Sequence, residues 1–127
     1  MRIILMATAL IATALPGVAS ARRDDIPAAT PIGPPVNCVS TQRIRETRVH
    51  GDSTIDFIMN GGKVYRNTLP NACPSLGFEE KFLYKTSTSE LCSVDIITVL
   101  QSPGISRGAS CGLGQFQPVE LAKPRKR

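Results

Sequence analysis

Between Thr54 and Met59 the apolar positions alternate: Ile55, Phe57 and Met59 fall on one side of an extended chain, and Thr54, Asp56 and Ile58 on the other. That period of two marks a half-buried strand. Asn60-Gly61-Gly62 follows at once, and Lys63 to Leu69 resumes with Tyr65 and Leu69 on one side, so the pattern predicts a β-hairpin turning at the glycines. Ile44 to His50, with Ile44, Thr47 and Val49 around Arg45 and Arg48 and just after Arg43, reads as a further strand that stops at Gly51-Asp52 and pairs with the next one.

Downstream, Leu69-Pro70-Asn71-Ala72-Cys73-Pro74 reads as a kinked connector, because each proline lacks a donor and restricts the residue before it. Glu79 to Tyr84 fits a short strand or a single helical turn. Ser93 to Gln101 holds Val94, Ile96, Ile97, Val99 and Leu100, which predicts a central strand apolar on both faces. Ser102 to Gly112 reads as a Gly/Ser loop, and Leu113 to Val119 as a last strand that carries Phe116 and ends at Pro118. With no long amphipathic helix, the fold class expected is all-β: a single small domain, a curled sheet, barrel or sandwich of five to six short strands.

The chain start changes the picture. Arg2 precedes an apolar run from Ile3 to Leu15, Pro16-Gly17 breaks it, and Ala19-Ser20-Ala21 offers a small-x-small cut site. Residues 1–21 therefore read as an export signal cleaved after Ala21, with the mature protein periplasmic or secreted. Residues 22–36 hold RRDDIPAATPIGPPV, a proline-rich spacer expected to be disordered. The domain is expected over 37–120, with a basic tail over 121–127.

Four cysteines, Cys38, Cys73, Cys92 and Cys111, lie beyond the signal. An even count in an exported chain predicts two disulfides. A zinc site is the competing reading, but no cysteine spacing resembles a C-x-x-C knuckle, and His50, the single histidine, lies far from every cysteine in sequence. Loop-closure entropy does not choose the pairing: nested bridges give about 4.4 and 3.3 kcal/mol, sequential ones about 3.8 and 3.3. The nested pairing, Cys38 with Cys111 and Cys73 with Cys92, is expected because the first and last strands of a small β-domain often lie side by side.

The formal charge is +5, yet eight basic and seven acidic residues fall between Cys38 and Pro118, so the domain is nearly neutral. The excess sits mainly in Lys123-Pro124-Arg125-Lys126-Arg127. A nucleic-acid partner is not expected for an exported chain; weak contact of the tail with an anionic surface is the reading its charge allows.

Catalytic chemistry finds little support. His50 ends a predicted strand, where a histidine is expected to be exposed; no G-x-S-x-G or S-x-x-K pattern frames a serine. Asp24-Asp25 and Glu79-Glu80 lack the ladder of a calcium loop. No cofactor or metal is implied. Arg43 and Arg45, placed on one strand face, are the candidate anion patch. Asp95, at the start of the most apolar strand, is expected to be a structural carboxylate held by backbone donors in the preceding turn or by an arginine.

The segments CVSTQRIRETRV (38–49), GGKVYRNTL (61–69), Cys73-Pro74-Ser75-Leu76-Gly77-Phe78, Cys92-Ser93-Val94-Asp95 and Cys111-Gly112-Leu113-Gly114 resemble a family of small exported Gram-negative bacterial proteins of unknown function with four cysteines. The resemblance implies an exported β-domain and brings no site residues with it. The function expected is a non-enzymatic binding or structural module of the cell envelope, its partner an envelope protein or ligand. A secreted inhibitor or ligand-binding module presenting Ser102 to Ser110 or Leu69 to Gly77 is the second reading. A small hydrolase with Asp95 and a glutamate in one cleft is the third.

Overall fold

The computed structural model describes residues 26–103 and 106–122. The expected export signal over 1–21, the start of the expected spacer and residues 123–127 of the basic tail lie outside the described residues. Ten strands form in chain order: β1 (Ala29–Pro31), β2 (Cys38–Ser40), β3 (Ile44–His50), β4 (Thr54–Met59), β5 (Val64–Thr68), β6 (Phe82–Tyr84), β7 (Glu90–Cys92), β8 (Ile96–Gln101), β9 (Ser106–Gly112) and β10 (Phe116–Leu121). One short helix, α1 (Leu76–Glu79), and a 3-10 turn (Thr41–Arg43) complete the described part. The fold is all-β, as the alternation predicts.

The strands make three antiparallel sheets, ordered β1-β10-β5-β4-β3, β2-β7 and β6-β8-β9. The β4–β5 hairpin sits where expected, with Gly61 and Gly62 at φ of 89° and 92°, backbone values that favour glycine. Asp56 lies opposite Arg66 and Phe57 opposite Tyr65. The inward side chains of the larger sheet (Ile55, Phe57, Met59, Phe116) meet Ile97 and Val99 of β8, with Val39, Leu91 and Leu76 closing the same core. Phe57 stands edge-on to Phe116 at 5.3 Å and to Phe82 of β6 at 6.4 Å. Aromatic pairs in this arrangement stabilise by about 0.5–1.5 kcal/mol beyond area burial.

Several expectations change. The disulfides join Cys38 to Cys92 and Cys73 to Cys111, not Cys38 to Cys111 and Cys73 to Cys92. The first and last strands are indeed neighbours, β1 and β10, but neither carries a cysteine. Cys38 instead lies in register opposite Cys92 on β7, with Cα atoms 4.0 Å apart. Cys73, on the connector leaving the larger sheet, reaches Cys111 on β9 and ties the two main sheets together. In the chain-entropy account these bridges, 54 and 38 residues apart in sequence, stabilise by about 4 kcal/mol each.

The proline-rich spacer is ordered from Ala29: β1 pairs with β10, Ile32 N–H donates to the Pro118 carbonyl and Val36 bridges Phe116. Pro118 does not end the last strand, which runs on to Leu121. Its N and O both point toward β1, so its missing donor falls beside the last residues of an edge strand, where the loss is smallest. Residues 106–112, expected as loop, form β9. Strand β8 is not buried on both faces: its exposure alternates.

Candidate functional site

The alternation of β8 has a chemical consequence. Ile97 and Val99 point inward and are fully buried, so Ile96 and Thr98 point outward. On β6, Leu83 lies opposite Thr98 and faces out with it; on β9, Ser110 lies opposite Thr98 and its hydroxyl meets that of Thr98 at 3.0 Å. No further layer of described residues covers this face. On it Leu83 is 44 % exposed, Val94 86 % and Ile96 57 %, while Tyr84, opposite inward-facing Ile97, reaches the groove from the edge of β6. Together with Lys85, Asp95, Thr98 and Arg107 they line one groove of about 570 Å³, within the 300–1,000 Å³ usual for small-ligand sites.

Asp95 builds the upper end of this groove. Its Oδ2 accepts from the Cys92 N–H at 2.7 Å, its own N–H donates to the Cys92 carbonyl at 2.9 Å, and its carbonyl accepts from Leu113 N–H at 3.2 Å. The carboxylate thus satisfies a backbone donor in the preceding turn and fixes the start of β8. The tight turn it closes pushes Val94 into solvent. Among the described residues neither Lys85 nor Arg107 has a carboxylate partner.

The two arginines of the candidate anion patch are not set side by side on one strand. Arg43 lies in the 3-10 turn, and a register irregularity separates Ile44 from Glu46 around Arg45, so the two arginines do not share a strand face. Arg48 is spent on Glu46 at 2.8 Å. The Leu69–Gly77 stretch does not protrude: Leu69, Cys73 and Leu76 are buried, and Cys73 N–H and Gly77 N–H donate to the Asp52 backbone and side chain at 2.8 Å. The hydrolase reading needs Asp95 and a glutamate in one cleft; the groove brings Asp95 and no glutamate. Cys38, Cys92 and Glu90 lie close together, but both sulfurs are committed to the disulfide.

A second polar centre, which the sequence reading missed, lies on the outer face of the larger sheet. Asp56 is fully buried there; Arg66 donates to both its oxygens at 2.8 and 2.9 Å, and His50 Nε2 lies 3.1 Å from Oδ2. His50 is therefore a half-buried partner and not an exposed strand end. The signal was present: the glycine turn fixes the hairpin register, and that register sets Asp56 directly across from Arg66. No protein-family model, curated protein or solved structure matches the chain, so roles rest on its own geometry.

Proposed function

We propose that this chain is an exported, non-enzymatic ligand-binding module of the periplasm or the secreted space, and that the outer face of the β6-β8-β9 sheet is its binding surface. The observation that carries this reading is the gathering of three exposed large apolar side chains, Leu83, Val94 and Ile96, around one groove on that face. Scattered apolar residues such as Phe78 are ordinary on a surface, whereas a contiguous set with polar rims marks a site of interaction. The two disulfides are consistent with an oxidising extracellular setting, and the apolar run with its Ala19-Ser20-Ala21 cut supports export.

Native mass spectrometry of the full-length gene product, purified from the envelope fraction without denaturation, tests the reading. The expected result is a chain starting at Arg22, carrying a bound molecule that is lost in Ile96→Asp and Val94→Asp and retained in Arg43→Gln. Retention of residues 1–21, or the same occupancy in all variants, would overturn it.

A further inference from the structure

We infer that the groove takes an amphipathic monoanion: a single unbranched hydrocarbon chain ending in a carboxylate, its head at Arg107 and its body along β8 toward Ile96 and Val94. The inference rests on the reading of the groove as the binding surface and adds the chemistry of what it holds. Size argues first. A volume of about 570 Å³ corresponds to about twenty non-hydrogen atoms at about 30 Å³ each.

Charge then orients the ligand. Arg107 lies in register with Leu100 on β8, while Ile96 lies opposite Gly112, four residues and roughly 13 Å along the strand. At the Ile96 end Lys85 and Asp95 both line the groove without pairing, one positive and one negative, so that end carries no net charge. At the Leu100 end Arg107 stands with no carboxylate partner among the described residues. A net positive charge at one end of an apolar trough and none at the other complements one anionic head on an apolar body, and a guanidinium binds a carboxylate through paired N–H donors. Segments 22–25 and 123–127, RRDD and KPRKR, carry no large apolar side chain.

The test is calorimetric titration of the oxidised protein with dodecanoate, dodecanol and dodecylammonium, each below its micellar concentration. Dodecanoate is expected to bind at least about tenfold more tightly than dodecanol, with dodecylammonium weakest. In Arg107→Gln the preference for the carboxylate over the alcohol should vanish, in Lys85→Gln it should persist, and in Val94→Asp and Ile96→Asp all three should weaken. Near-ultraviolet circular dichroism establishes that each variant is folded. Dodecanoate binding no more tightly than dodecanol, or an unchanged preference in Arg107→Gln, would overturn the inference. So would a short apolar peptide with an acidic residue that binds where dodecanoate does not, although groove-dependent occupancy in the mass spectrum would then still stand. Failure of that occupancy would remove the binding surface itself.

Discussion

The two main sheets treat their outer faces in opposite ways. The five-stranded sheet buries polar groups: Thr54 and Asp56 are inaccessible beside Ile58, and the Asp56 carboxylate is saturated by Arg66 and His50. The three-stranded sheet exposes apolar groups: Leu83 and Ile96 stand in solvent. Long side chains explain the first face, because Arg66 and His50, themselves 15 % exposed, lie across the carboxylate they bind. Among the described residues nothing comparable covers the second, where the cross-strand partners of Ile96 and Thr98 on β9 are Gly112 and Ser110. A face whose polar atoms are all satisfied internally is complete without a partner. A face of exposed hydrocarbon flanked by small residues gains free energy when something covers it, at about 25 cal/mol per Å² removed from water.

The sharpest way to break the comparison is to leave the buried charges without their partner. Asp56→Ala strands Arg66 and the His50 ring in a closed site, and removing one member of such a pair costs about 3–5 kcal/mol. Urea unfolding of the oxidised variant should show that loss as a lowered midpoint. Arg48→Gln, which removes only the exposed pair with Glu46, should cost no more than about 1 kcal/mol. Equal losses would mean that Asp56 is not closed off and that the two outer faces do not differ in kind.

Asp95 links the two ideas, because a backbone bond within the fold also shapes the groove. Asp95→Ala leaves the Cys92 N–H without its acceptor and should cost about 1–3 kcal/mol. Asp95→Asn keeps a neutral acceptor of the same shape and should cost less, since the charge-assisted bond is the stronger one. An unchanged or raised urea midpoint for Asp95→Ala would show that the carboxylate is held at a cost to stability, as a ligand-binding group often is, and would move it from positioning Val94 to contacting the ligand.

What the sequence discloses follows from which forces are local. The β4–β5 hairpin is legible because alternation and a glycine turn act within a few residues. The Asp56–Arg66 pair follows from that hairpin by counting register, a step the alternation of Thr54 to Met59 invites. Strand β9 is not legible: Ser106 to Gly112 has weak strand propensity, and what holds it is non-local, the ladder with β8 and the bridge from Cys111 to Cys73. The disulfide pairing is hidden for the same reason, since it depends on which strands carry the cysteines and not on how many residues separate them. The groove is hidden in a different way. An apolar run from Val94 to Leu100 suggests burial on both faces, and no local pattern says that among the described residues no layer covers one of them.

The smallest expected effect therefore tests the largest claim. Ile96 and Ile97 are neighbours of identical chemistry on one strand, one 57 % exposed and the other fully buried. Ile97→Ala removes core contacts and should cost about 2–5 kcal/mol, the usual range for opening a cavity in a packed interior. Ile96→Ser should shift the unfolding free energy by no more than about 1 kcal/mol, because most of its surface is already in water. Adding a ligand should reverse the order of importance, with Ile97→Ala binding once folded and Ile96→Ser binding poorly. If Ile96→Ser instead destabilises the ligand-free domain as strongly as Ile97→Ala, the outer face is covered from within the chain. The apolar surface would then belong to the core, and the contrast between the two sheets would no longer point to a ligand.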